Sequence, residues 1–273
     1  MAMRVMKATA YLILSVWAIL TIIPFYWMIV TAFKNQVAIQ AIPPDWWPSP
    51  PTLLNFQVFF GAAPAFRWLF NSSFVAILTT VATVTFATMS GYAFAKRRFP
   101  GDRILFWLVM AVLVVPYEVK LVPLFELSAH LGMIDSYGGL ILPAVSAPFA
   151  VFLMKQFMTT LPSEIFDAAR VDGAGEWSLF VHVVAPLATP GITVVTIFTF
   201  VDSWNAFLWP VIVTSSIQMR TLPPGLAVLQ LQSYTDYGLQ MAGSLFTAIP
   251  TIILFLALQR YFLQGITVGA VKG

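Results

Sequence analysis

Residues 8–33 carry no charged side chain. A helix needs about 20 mostly apolar residues to cross the hydrocarbon core of a bilayer. Backbone groups inside that core can be satisfied only within a helix or a closed barrel. A run of this length therefore predicts a membrane-spanning helix. It is too long for the apolar region of a signal peptide, so it is read as a retained span. The remainder of the 273 residues agrees, with 59% hydrophobic and only 9% charged, against about 25% charged in soluble domains. Such a chain is not an ordinary soluble enzyme, a disordered segment or a fibrous protein. The absence of cysteine excludes a disulfide scaffold, thiolate zinc sites, iron–sulfur clusters and cysteine nucleophiles.

Five further stretches read as spans, at about 71–95, 104–125, 138–154, 186–213 and 242–263. The third is expected to break at Pro116 and Pro123, and the fourth to end at Lys155. The expected fold is thus an all-α polytopic membrane protein with six transmembrane helices and both termini on one side. Arg4, Lys7, Lys96, Arg97, Arg98, Arg103, Lys155, Arg170, Arg260 and Lys272 fall on the side of the termini. Lys34, Arg67, Lys120 and Arg220 fall on the other. The positive-inside rule then places both termini in the cytoplasm. The net charge of +3 is read as this orientation signal, not as a footprint for nucleic acid.

The external segment 34–70 contains Pro43, Pro44, Trp46, Trp47, Pro48, Pro50 and Pro51. Prolines block helix continuation and tryptophans suit the membrane–water interface. The segment reads as a lid on the bilayer surface or as a docking surface for an external partner. Asn71-Ser72-Ser73 matches a glycosylation sequon by chance, since it opens a span.

On the cytoplasmic side, residues 163–176 hold four of the eleven acids: Glu164, Asp167, Asp172 and Glu176. Ser163 is a candidate helix cap, with Glu164 and Asp167 near the positive end of the dipole. Asp167 and Arg170 are spaced to pair on one helical face. Ile165, Ala168, Ala169 and Val171 supply apolar surface, and Gly173 and Gly175 end or kink the helix. A helix resting on anionic lipid would want basic residues on its polar face. This one is acidic, which favours a protein partner.

Asp167-Ala168-Ala169, then Gly173, then Val183-Val184-Ala185-Pro186 resembles the EAA loop of the membrane subunits of binding-protein-dependent ABC importers. Asp stands for the usual Glu, and Ala185 for the usual Leu. Leu131-Gly132-Met133-Ile134-Asp135, Gly139-Leu140-Ile141-Leu142-Pro143, Trp204-Asn205-Ala206-Phe207-Leu208-Trp209-Pro210 and the ending from Gly265 to Gly273 are similar to the carbohydrate-type permeases of that family, in particular the second membrane subunit of the maltose importer. The resemblance implies one transmembrane domain over residues 1–273, with its permease core at about 67–265. It implies a coupling segment at about 163–177, where Glu164, Asp167, Ala168, Ala169, Arg170, Asp172, Gly173 and Ala174 would meet a cytoplasmic ATPase. It also implies a C-terminal tail, 265–273, whose Lys272 and Gly273 would reach the ATPases. The implied partners are a second homologous permease, two ATPase subunits, an extracytoplasmic solute-binding protein and membrane lipid. The implied location is a prokaryotic inner membrane.

The substrate path is sought among polar and aromatic residues within spans, because an acid at membrane depth usually faces a cavity or a partner. Phe198, Asp202, Asn205 and Trp209 recur at helical spacing. Their carboxylate, amide and rings suit a sugar or polyol, though packing against a partner permease would use the same face. Trp204 and Trp209 could equally be interface anchors. Glu118 is a second path candidate near the break in span three, whereas Glu126 reads as a solvated end. His130 and His182 lack metal-ligand spacing, so no metal site is expected. No phosphate-binding P-loop is present. ATP and magnesium therefore belong to a partner chain, and no cofactor is expected in this one. The competing readings are a stand-alone secondary transporter or channel subunit, which would not need an ATPase, and a lipid-acting enzyme, which would need a catalytic cluster.

Overall fold

The computed structural model describes the backbone of residues 2–232 and 236–270, and side chains of 3–229, 236–253 and 255–257. The described residues are all-helical, without strands. In chain order the helices are α1 (Ala2–Ala32), α2 (Gln36–Ile39), α3 (Leu54–Ala62), α4 (Ala65–Lys96), α5 (Asp102–Val114), α6 (Tyr117–His130), α7 (Tyr137–Val145) and α8 (Pro148–Thr160). They continue as α9 (Ser163–Val171), α10 (Glu176–Leu179), a π-helical turn at Phe180–Val184, α11 (Ala185–Leu187), α12 (Thr189–Asn205), α13 (Leu208–Val213), α14 (Leu222–Gln232) and α15 (Tyr237–Ala270). Met3–Ala32, Ala65–Lys96 and Tyr237–Ala257 are each long and apolar enough to cross a membrane. Three bent pairs reach that length together: α5 with α6 at 103°, α7 with α8 at 41°, and Glu176–Leu187 with α12 at 76°.

Proline explains two of the bends. The residue before proline is disfavoured in the α region. Val115, ahead of Pro116, is extended at φ −76° and ψ 117°, and Ala147, ahead of Pro148, has left the helix at φ −118° and ψ 80°. Pro123, expected to break span three, lies inside α6, a placement that membrane helices tolerate when neighbours satisfy the freed carbonyl. Lys155 does not end the fourth span, because α8 runs on to Thr160 and the ammonium lies 3.3 Å from the centre of the Phe106 ring. The expected helix over 186–213 is interrupted twice, at Ala188 and again at Ala206 and Phe207.

Contacts divide the chain into two compact units, Met1–Arg67 with Gly225–Pro250, and Trp68–Pro224 with Thr251–Gly273. In the first, α1 leaves most of its apolar surface exposed, as a lipid-facing helix requires. Asn55 closes its C-terminal end by donating to the carbonyls of Ala32 at 2.9 Å and Lys34 at 2.7 Å. Lys34 is buried, donates to the Asp45 carbonyl and lies over the Trp27 ring at 4.4 Å. Trp46 and Trp47 of the proline-rich segment remain exposed.

In the second unit, α4 meets α8 at Gly91. A Cβ there would lie 2.6 Å from the Met154 Cβ and 2.8 Å from its carbonyl carbon, so only glycine permits this approach. One apolar core joins Ala87, Tyr92, Met154, Met158, Phe166, Leu179 and Val195. A second joins Val75, Leu140, Trp209 and Val213. The loops 131–136 and 214–221 are stapled together. Asp135, at φ +55°, accepts from the Ser215 and Ser216 amides at 3.0 Å each. Burial acts to raise its pKa, but these hydrogen bonds and the charge of Arg220 outweigh it and hold the carboxyl below its ordinary value. Asn71 is fully buried and uses both ends of its amide, donating to the Gln218 and Arg220 carbonyls and accepting from the Tyr137 hydroxyl. A structural staple accounts for the sequon match.

Candidate functional site: a presented helix and a cavity

Two features of the second unit are candidates for function. The first is α9. Phe166, Ala169 and Arg170 turn inward at i, i+3 and i+4, with Phe166 only 1% exposed. Glu164, Asp167, Ala168 and Val171 turn outward, and Val171 is 88% exposed. The exposed face therefore places an apolar tip among carboxylates. Pro162 occupies the N-cap position, so Ser163 is the first helical residue and not the cap; its hydroxyl lies 3.5 Å from the Lys96 ammonium. Arg170 donates to Asp167 at 2.8 Å, in line with the spacing of three.

The C-terminus of α9 is a Schellman turn. Ala174 donates to the Ala169 carbonyl and Gly173 to that of Arg170, both at 3.0 Å. Gly173 adopts φ +84°, a left-handed conformation that costs a side-chain-bearing residue about 1–2 kcal/mol. Its role, and that of Ala174, is thus to end the helix sharply. Asp172 and Gly173 lie exposed at the turn.

Behind α9 sits a polar cluster that joins Arg170 and Glu176 of this segment to Tyr92, Lys96 and Arg97, which the sequence motif does not include. Glu176 pairs with Arg97 and lies 3.6 Å from Arg170 Nε. The Tyr92 hydroxyl lies 3.5 Å from both Glu176 Oε2 and Arg170 Nη2. Lys96 donates to the Leu161 carbonyl and stands 5.5 Å above the Phe166 ring. Burial would lower the Arg170 pKa, but its contact with Tyr92 and the charges of Glu176 and Asp167 outweigh this and raise it. The local spacing from Asp167 to Arg170 was legible. Tyr92, Lys96 and Arg97 lie too far along the chain for any local pattern to join them to α9.

The second feature is a cavity of about 730 Å³ built from α4 to α8, α12 and α13. Asp202, Asn205 and Phe198 line it, as does Trp209. They do not share one helical face: α12 stops at Asn205 and Trp209 belongs to α13. Trp209 is 5% exposed, and its indole N–H donates to the Gly139 carbonyl at 2.8 Å, which makes it a wall and not a polar contact. Asn205 donates to the Val201 carbonyl at 2.8 Å. Trp204 does not line the cavity; it is 1% exposed and stacks on Phe200. Glu118 does not line it either, whereas its neighbour Tyr117 does.

Thr79, Ser146, Phe149, Thr199, Ser203, Phe207 and Thr221 complete the polar and aromatic lining. Thr199 lies three residues before Asp202 and four before Ser203, a helical spacing that could have been read from the sequence. Phe149 meets Phe198 edge-on at 6.4 Å. Among the described lining residues Asp202 is the only charged one, and none is Lys, Arg or His. The arrangement can hold an uncharged molecule that needs hydroxyl partners and ring faces. Lys272 and Gly273 lie outside the described residues.

Residues 83–268 match the family described as binding-protein-dependent transport system inner membrane component. An arabinooligosaccharides transport system permease protein of Bacillus subtilis is 42% identical over 227 residues, covering 82% of this chain and 81% of that protein. An sn-glycerol-3-phosphate transport system permease protein of Yersinia enterocolitica is 34% identical over 264 residues, covering 94% of each. A bacterial ABC transporter chain from a system importing the acidic polysaccharide alginate superposes with a TM-score of 0.84 over 95% of this chain and 97% of that one, at 20% identity. That likeness concerns the fold.

Proposed function

This chain belongs to the inner membrane components of binding-protein-dependent transport systems, and from that membership we propose that it forms one half of the path for a neutral sugar or polyol and is driven through α9. In this reading six spans place both termini in the cytoplasm, and α9 docks on a cytoplasmic ATPase that supplies ATP and magnesium. The complex contains a second permease, two ATPases and an extracytoplasmic binding protein. ATP binding draws the two coupling helices together and turns the cavity outward; hydrolysis resets it.

The observation that carries this reading is the two-sidedness of α9: Phe166 is anchored at 1% exposure while Val171 projects at 88% among acids. With Glu164, Asp167 and Ala168 on the same outward face, Val171 offers a partner an apolar contact that carboxylates can frame. The related permeases serve both a neutral oligosaccharide system and a phosphate ester system. A lone carboxylate in the cavity and no basic lining residue would repel a phosphate ester, which favours a neutral solute.

The test is Val171→Asp in the complete importer. Placing a charge at a desolvated contact should release the ATPase and reduce uptake by about tenfold or more while membrane insertion survives. Normal uptake with the ATPase still bound would contradict the docking role.

A further inference from the structure

Chain continuity suggests one route from α9 to the cavity, through α10 and α11 into α12. That route is poorly built to carry force. It contains a π-helical turn at Phe180–Val184 and bends by 76° at Ala188. The polar cluster behind α9 offers a second route. Three residues near the C-terminal end of α4 hold the segment: Tyr92 contacts Arg170 and Glu176, Lys96 grips the Leu161 carbonyl and covers Phe166, and Arg97 pairs with Glu176. Tyr92 also meets Phe166 edge-on at 6.2 Å.

α4 is one unbroken helix from Ala65 to Lys96, and its residues Val75 and Thr79 line the cavity. From Tyr92 to Thr79 is about 20 Å at 1.5 Å per residue. The same helix thus touches the coupling segment at one end and the cavity farther along, with no break between.

We propose that α4 is the rod that relays movement of α9 to the cavity, and that Tyr92 on α4, Arg97 just past its end and Glu176 at the start of α10 are positioning residues that hold α9 to it through Arg170. This rests on the reading of α9 as the ATPase-docking helix. The ion pairs are partly exposed, and pairs of that kind contribute little to folding stability. Their loss should therefore loosen the register between α9 and α4 without unfolding the chain.

The test uses the complete importer in proteoliposomes, with uptake per ATP hydrolysed and ATPase retention as readouts. Arg97→Gln and Glu176→Gln should each keep the ATPases bound and lower uptake per ATP by about fivefold or more. The double variant should be no worse than the weaker single, because both remove one joint. Tyr92→Phe, which keeps the ring and removes only the hydroxyl, should lower the same ratio to a smaller extent. Ala188→Gly, which loosens the chain-continuous bend, should leave the ratio within about twofold. Unchanged ratios in the two Gln variants, or losses that multiply in the double variant, would overturn the relay. So would a collapse of coupling in Ala188→Gly alone. Release of the ATPases in either Gln variant would overturn the relay as well, while the uptake ratios do not bear on ATPase docking, which Val171→Asp tests separately.

Discussion

The presented helix and the cavity lie in one compact unit, yet they are built by opposite means. Around α9, charges are plentiful and paired: Asp167 with Arg170, Arg170 with Glu176, and Glu176 with Arg97. In the cavity one carboxylate stands among hydroxyls, an amide and aromatic rings. Under the proposed function the difference follows from what each surface would meet. A helix that docks on a soluble partner can keep charges hydrated until contact and use them for register. A path through a bilayer leaves a charge costly unless it does something for the solute.

The largest effect is expected where one substitution breaks both regions together. Gly91→Leu would drive a side chain into the Met154 backbone, separating α4 from α8. Overpacking of this kind costs about 1–3 kcal/mol or more, so the variant should fail to accumulate as a monodisperse complex, measured by gel filtration after detergent extraction. Wild-type yield and melting behaviour would show that the close approach is unimportant.

Phe166→Ala should act on the presented helix alone. Removing a fully buried aromatic costs about 3–5 kcal/mol, and the loss should appear as lowered thermal stability together with lowered ATPase retention. Asp202→Ala should act on the cavity alone. Losing a charge-assisted hydrogen bond to a solute hydroxyl is worth about 1.5–3 kcal/mol, which should reduce uptake of a neutral sugar about tenfold with ATPase retention unchanged. A variant that shifted both readouts equally would erase the distinction between the two regions.

The two regions also differed in how legible they were. The acids and Arg170 of α9 lie within a few residues of one another, so helical spacing sorted Asp167 and Arg170 into a pair; glycine type flagged Gly173 and Gly175 as candidate stops, and of these Gly173 takes the left-handed turn. The cavity is assembled from elements far apart in the chain, and its shape depends on helix breaks. The break at Pro116 was readable, because the restriction before proline is local. That at Ala206 and Phe207 was not, and it moved Trp209 off the face assigned to Asp202. Trp204 was misplaced for a related reason: side-chain type suggested a path residue, but burial against Phe200 is a tertiary fact. The contacts behind α9 were invisible for the same reason, since Tyr92 of α4 and Arg97 just past it meet Arg170 and Glu176 only after the helices pack.

The smallest effect is expected from a charge outside both regions. Asp135 has its carboxyl held below the ordinary value of 3.8 by the Ser215 and Ser216 amides and Arg220, against the opposing effect of burial. A depressed carboxyl contributes stability that is present above that ordinary value and lost as pH falls through the lower folded value. Asp135→Asn should thus lower the melting temperature at pH 7 by about 2 °C and flatten the decline below pH 3.8. Uptake per ATP should not change. An unaltered acid profile would show that the staple is electrostatically neutral.

The most direct measurement exploits the absence of native cysteine. With Val171→Cys as the one thiol of this chain, maleimide labelling of this chain is followed in the complete importer and again after the ATPases are stripped. The thiol should react freely in the stripped complex and about tenfold more slowly when the ATPases are bound, while a control thiol at the exposed Val37 reacts equally in both. Equal labelling at position 171 with and without the ATPases would contradict the claim that the outward face of α9 is where this permease is driven.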